Sequence, residues 1–338
     1  MSKDFPRMNN SRILVLGGTR FVGRMTVETL LLQNAQPTLF HRSPERNALF
    51  PHLEHLNGDR ESDDISQVLD RDWDIVIDFS CQYPLTLQAM LQRMRGRVGR
   101  YIMISSISAV DMGEMRQAVT VDAPLLECSA EQKIDTNMAA YGPRKAETER
   151  VLIEAGPADS VVLRPALMFG PHDWSDRMYY WIDRVRTQDR ILMPQNDTED
   201  LTLCFGPDLA AAVVAAAGAP QVDRVYNAVT PPDYSLAEIV SLCEDILQRQ
   251  VERVHVPAEL LAEHEVRPWM DLPLWLNGAR LSIDPGNFVR HFLPRPHTHV
   301  EAMRAAVNDY AGREWPAPRY GLGKEREAEL LEIHAQRL

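Results

Sequence analysis

Short apolar runs alternate with segments of helical period through the first half of the chain. Ile13–Leu16 is apolar at every position, as expected of a strand covered on both faces of a parallel sheet. Val22, Met25, Val27, Leu30 and Leu31 recur at helical spacing and predict a helix from Val22 to Gln33. The same reading gives strands at 37–41, 52–56, 74–79, 101–104 and 161–164. Helical patterns cover 85–95 and run from Tyr141 to about Ala155. This alternation predicts right-handed β-α-β crossovers and an α/β fold with a Rossmann-type doubly wound parallel sheet.

Beyond Pro165 the pattern becomes irregular. Proline-rich and aromatic stretches at 165–207 and 256–300 interrupt helices expected at 208–217 and 235–249. The predicted organisation is a first lobe over 11–165, with core elements also from about 201–230, and a smaller lobe over 166–323. A charged amphipathic helix over 324–338 is expected to pack on the outside. No internal repeat or low-complexity tract interrupts this plan.

The composition narrows the setting. The chain has 338 residues, 45% hydrophobic and 25% charged, which suits a soluble globular protein with a large core. Its formal net charge of −12 disfavours nucleic acid as a partner. Cys81, Cys128, Cys204 and Cys243 are scattered without metal-ligand spacing, so reduced cysteines and no metal site are expected. His172 likewise has no partner at ligand spacing. No apolar stretch reaches the ~20 residues of a membrane span, and Met1–Asn10 lacks the apolar core of a signal peptide. A cytoplasmic protein, monomer or homodimer, with mobile first ten residues is the expectation.

Two segments carry candidate chemistry. Gly17, Gly18, Thr19, Arg20, Phe21, Val22 and Gly23 link the first strand to the first helix. A helix start exposes unpaired N–H groups and a partial positive charge, and glycines let the backbone approach a phosphate closely. The segment therefore reads as a cradle for a dinucleotide pyrophosphate, with Arg20 where the middle glycine usually stands. At the end of the second strand stand His41 and Arg42, with no acidic residue. An arginine there suits a 2′-phosphate, so NADP(H) is the preferred cofactor and NAD(H) the alternative. Asp59, after Gly58, is placed to meet the adenine amino group.

The second segment is Tyr141-Gly142-Pro143-Arg144-Lys145, which follows a Ser105-Ser106 pair at the end of the fifth strand. Tyr141 and Lys145, four apart on a helix, share one face. A phenol, with pKa near ~10, is a poor base at neutral pH, and a neighbouring ammonium favours its charged form. Ser106 would hold the substrate oxygen toward Tyr141. Together the two segments point to a nicotinamide-dependent enzyme.

On these residues the chain resembles the short-chain dehydrogenase/reductase superfamily, in the extended branch of NAD-dependent epimerases and dehydratases, with an atypical GGxxxxG cradle. Leu163-Arg164-Pro165 with Phe169-Gly170-Pro171, then Phe205 to Ala210, Tyr226-Asn227-Ala228 and Ser235 to Glu238, extend the resemblance to about residue 285. It implies Ser106, Tyr141 and Lys145 as a catalytic trio, with Ser80, Lys145 and Pro165 among the cofactor-binding positions. It implies hydride transfer on a polar alcohol or ketone, a sugar or nucleotide-sugar among the candidates. Two departures are visible: no Asn stands within Leu85–Arg95, and Ile107-Ser108 replaces an acidic pair expected in sugar dehydratases. Asp176, Arg177, Tyr180 and Trp181, in a segment rich in polar and aromatic groups, are the candidate substrate contacts. The competing readings are a non-catalytic dinucleotide sensor, a nucleic-acid-binding protein on the same fold, and a natural-product ketoreductase.

Overall fold

The computed structural model describes Met8 and residues 10–113 and 117–338. Ile13–Leu16 (β1), buried at all four positions, lies inside a parallel sheet of seven strands. Five more of its strands follow in the chain: Thr38–His41 (β2), His55–Asn57 (β3), Trp73–Asp78 (β4), Val98–Ile104 (β5) and Asp159–Pro165 (β6). Leu167–Phe169 (β7), Arg190–Pro194 (β8) and Leu203–Phe205 (β9) lie outside the sheet; Val225–Ala228 (β10) returns to it beside β6. Glu252–Val256 (β11) pairs with β8, and β7 with β9. The sheet order is β3-β2-β1-β4-β5-β6-β10. Leu14 of β1 stands opposite Thr38 on one side and Val76 on the other. The strand order therefore reverses at β1, and a crevice opens above the carboxyl ends of β1 and β4, where open α/β sheets take their ligands.

The helices are Phe21–Leu32 (α1), Ser66–Leu69 (α2), Pro84–Arg93 (α3), Tyr141–Ala155 (α4), Arg177–Thr187 (α5), Gly206–Gly218 (α6), Leu236–Leu247 (α7), Ala258–Glu263 (α8), Phe288–Phe292 (α9), His299–Gly312 (α10) and Lys324–Ala335 (α11). Alternation along the strands divides the core. Ile13, Val15, Ile75, Ile77, Ile102 and Ile104 face α1 and α6, through Val22, Met25, Leu209 and Val213. Leu14, Leu16, Val76, Tyr101 and Met103 face α3 and α4, through Leu87, Met90 and Leu152.

Two expectations need correction. The third strand covers His55–Asn57 rather than 52–56, because residues 51–53 form a turn that sends Leu53 and Phe50 into the core. Of the first ten residues, expected to be mobile, 1–7 and 9 lie outside the described residues; Met8 is buried in the core. The helix α11 lays one face on the body of the protein and leaves the other exposed. Leu330 and Leu331 are buried, and the buried Glu327 carboxylate accepts from the Arg184 guanidinium of α5 and from the Leu192 N–H at 2.9 Å.

Candidate active site

The turn from β1 into α1 brings backbone to the mouth of the crevice. Gly17 has φ +88°, a conformation that favours glycine. A Cβ at Gly23 would fall closer than 3.0 Å to the Gly17 carbonyl oxygen, so only glycine lets the first turn of α1 lie against β1. Arg20 caps α1 without a side-chain bond to the helix, and the first turn carries no acidic residue. The helix N–H groups and their partial positive charge are thus left for an anion. Residues Thr19 to Gly23 and Gly17 line a cleft of about 480 Å³. These features fit a dinucleotide pyrophosphate.

The carboxyl ends of the other strands complete the cleft. From β2 come His41 and Arg42 and from the β3 turn Asp59, all in its wall. The Arg42 guanidinium, largely exposed, stands 3.6 Å from the Asp59 carboxylate, so the two form one charged pair at the rim. The His41 ring contacts His55 at 2.9 Å. Burial, and then the facing His55, push His41 down to about 4, so it is a neutral wall. After β4, Ser80 lines the cleft with its N–H on Asp78 at 2.9 Å.

The helix that carries Tyr141 docks on the turn after β5. Pro143 sits in its first turn, where a missing N–H costs nothing. Gly142 lets that turn press on the Ser108 carbonyl, where a Cβ would clash. Tyr141 and Lys145 consequently line the same cleft as the glycine turn. Lys145 is buried and donates to the carbonyls of Cys81 at 2.7 Å and Ile104 at 2.8 Å, tying together the ends of β4 and β5.

The remaining predicted positions divide. Ser106 does not line the cleft; its Oγ accepts the Ser108 N–H at 3.1 Å, which leaves its hydroxyl proton free to donate. Its neighbour Ser105 does line the cleft, but donates to the buried Glu149. Pro165, the last residue of β6, is buried beside Ala228 away from the lining. The four candidate substrate contacts do not reach the cleft either. The Asp176 carboxylate accepts from Tyr310 at 3.0 Å and from Arg319 at 3.1 Å; Arg177 lies over the Tyr320 ring at 4.8 Å. Tyr180 and Trp181 are fully buried, and the Trp181 indole donates to the Pro273 carbonyl at 2.7 Å. These residues pack the smaller lobe: Asp176 and Trp181 bond partners inside it, Arg177 lies on an aromatic ring, and the Tyr180 hydroxyl is buried without a hydrogen-bond partner among the described residues.

Several residues of the site escaped the sequence reading. The Arg60 guanidinium reaches the buried Asp78 carboxylate at 2.7 and 2.9 Å, and the Tyr101 hydroxyl donates to the same carboxylate at 2.6 Å. Burial opposes the charge on Asp78, but Arg60, Tyr101 and the Ser80 N–H hold it below the usual carboxylate range. Arg60, Cys81, Tyr83, Met168 and Trp174 all line the cleft. Burial pushes the Cys81 thiol up to about 11, so it presents a neutral group. Position just past a strand end was the signal available for Arg60, Cys81 and Tyr83.

The profile of the NAD dependent epimerase/dehydratase family matches residues 13–229, and the chain belongs to that family, within the extended short-chain dehydrogenase/reductases. A chloroplast stem-loop binding protein of 41 kDa from Arabidopsis thaliana is 25% identical over 235 residues, 65% of this chain. The match covers 58% of that relative's length, less than two thirds of it. Among solved structures, UDP-glucuronic acid 4-epimerase of Bacillus cereus, in complex with UDP-glucuronic acid and NAD, superposes with a TM-score of 0.68 at 16% identity. That alignment covers 89% of this chain and 99% of the other. dTDP-glucose 4,6-dehydratase of Bacillus anthracis, in complex with NAD, gives 0.68 at 14% identity over 90% and 98%. At such identities the likeness establishes the fold. Among the described residues no helix is long and apolar enough to cross a membrane.

Proposed function

We propose that the protein is an NAD(P)-dependent oxidoreductase or epimerase acting on a polar alcohol or ketone, with a sugar or nucleotide-sugar as the favoured class. The observation that carries this reading is the meeting of Tyr141 and Lys145 with the glycine turn in one cleft. The UDP-sugar and NAD named for the B. cereus structure agree with the substrate class. A nicotinamide, when bound, supplies the hydride donor or acceptor. The α1 N-terminus would hold its pyrophosphate, Arg42 a 2′-phosphate, Asp59 the adenine amino group, and Lys145 a ribose hydroxyl. NADP(H) is the preferred form, because β2 ends in Arg42 and not in an acid.

In this scheme Tyr141 moves the proton at the substrate oxygen, with Lys145 in the same cleft wall. Ser106 donates its free hydroxyl proton to the same oxygen. Single-turnover measurements on a panel of sugars and nucleotide-sugars test the scheme. Tyr141→Phe should lower turnover by at least ~10² while leaving dinucleotide affinity nearly unchanged. Full activity of that variant on a proven substrate would refute the assignment. The second reading, a nucleic-acid-binding protein, is favoured by the name of the Arabidopsis relative and opposed by the net charge of −12. Dinucleotide-independent RNA binding without turnover would select it.

A further inference from the structure

Arg20 stands on a partition between two clefts. On the far side of the glycine turn a groove of about 640 Å³ runs between the start of α1, the 3₁₀ turn Pro44–Leu49 and the loop after β7. Thr19, Arg20, Phe21 and Trp174 border both spaces. We propose that this groove is a second binding site, for a phosphate-bearing small molecule with a planar ring, a nucleotide-like anion held alongside the dinucleotide. It rests on the proposed function only in taking the first cleft as the dinucleotide site.

The lining is cationic in a chain that is strongly acidic overall. Arg20, Arg24, Arg46 and Arg319 line the groove with Glu45, while Glu28 and Asp176 pair Arg24 and Arg319 from outside its lining. Three of these guanidiniums are anchored by one edge. Arg24 bonds Glu28 at 2.8 Å and Arg46 the Thr19 carbonyl at 3.0 Å. Arg319 bonds Asp176 at 3.1 Å and the Trp174 carbonyl at 2.8 Å. An anchored guanidinium has already lost most of its rotamer freedom, and its open edge matches two phosphate oxygens. Burial, and next the charge of Arg20, lower the pKa of Arg46, with Glu45 opposing them, so Arg20 and Arg46 lie close enough to feel each other's charge. Trp174, 61% exposed, adds an aromatic face at the same rim. The groove joins three anchored cations, one ring surface and an open concave volume.

Calorimetric titration of the full chain, saturated with NADPH, with uridine 5′-diphosphate and separately with inorganic pyrophosphate, tests this. One further equivalent of each should bind, the nucleotide more tightly. Combined Arg24→Ala and Arg319→Ala should weaken both by at least ~10-fold, since two charge-assisted contacts are removed, with NADPH affinity within about twofold. Trp174→Phe, a milder change, should weaken the nucleotide more than pyrophosphate. Exclusion of both probes by bound NADPH, or indifference to these variants, would overturn the proposal. So would a single-stranded RNA that binds the groove without competition from the nucleotide, which would mark a macromolecular partner. Should NADPH itself fail to bind, the proposed function falls, while titration of the free protein still reads the groove.

Discussion

Gly23→Ala tests the cradle most directly. An alanine in a helix is ordinarily favoured over glycine by about 1 kcal/mol. Here the added methyl would meet the Gly17 carbonyl oxygen closer than 3.0 Å, with the Gly17 carbonyl carbon and the Gly18 Cα both at 3.3 Å. All three obstacles are backbone atoms in the tight turn, so no side chain can swing away. Overpacking of this kind costs ~1–3 kcal/mol, which cancels or outweighs the helix preference. The larger effect is on binding. To relieve the contact, α1 must move back from β1, and its first N–H groups move with it. Losing one N–H bond to a charged phosphate costs ~1.5–3 kcal/mol, roughly tenfold to a hundredfold in affinity. Fluorescence titration with NADPH, alongside urea unfolding, separates the two effects. Gly312→Ala, at the end of α10 with nothing within 4 Å of the new methyl, is the control: it should leave the affinity unchanged and raise stability by up to about 1 kcal/mol. A Gly23→Ala protein that binds the dinucleotide as tightly as the parent would show that the cradle is not where the pyrophosphate sits.

Arg42→Glu should invert the NADPH-over-NADH preference, by placing a second carboxylate beside Asp59; equal affinities in the parent protein would sink the idea. Glu149→Leu should destabilise the fold by ~3–5 kcal/mol in urea unfolding, because Arg164, bonded to that carboxylate at 2.7 and 2.9 Å, would be left buried and uncompensated. A loss no greater than that from breaking the exposed Arg12–Asp74 pair would contradict it. Burial raises Asp173 to about 6. Its folded form thus keeps its proton longer than the unfolded chain does, and its contribution to stability falls as pH rises from about 4 through about 6. Asp173→Asn should remove this slope, a difference on the order of 2–3 kcal/mol between variant and parent across that window, measured by unfolding at fixed pH steps.

The parts of this protein that the sequence made legible are those with a local cause. A strand covered on both faces must be apolar throughout, and Ile13–Leu16 is; a helix start near phosphate needs glycine, and Gly17 and Gly23 are there. Tyr141 and Lys145 could be paired because four residues on one helix is itself a distance. The third strand was misplaced because Leu53 and Phe50 are buried from a turn, and burial without periodicity looks the same in a strand or a loop. Asp176, Tyr180 and Trp181 misled for a related reason: polar and aromatic groups suit a ligand and a polar interior equally well. What separates the cases is a distant partner such as Tyr310 or the Pro273 carbonyl.

The charged framework behind the site was hidden for the same reason, and it bears on how the site works. Arg60 meets Asp78 across 18 residues and Glu149 meets Arg164 across 15, each pair joining elements that no local pattern connects. Lys145 reaches back 64 residues to the Cys81 carbonyl and 41 to that of Ile104. These bonds converge on the loop ends of β4 and β5, the same backbone that carries Ser80, Ser105 and Ser106. Buried charges of this kind add little net stability, because desolvation offsets most of their attraction. Their effect is geometric. Removing Glu149 or Lys145 would free the end of β5 from α4, so the hydroxyls of Ser106 and Tyr141 would no longer be held in fixed relation. In the proposed scheme both hydroxyls meet one substrate oxygen, so a framework that adds little net stability can still be what that chemistry requires.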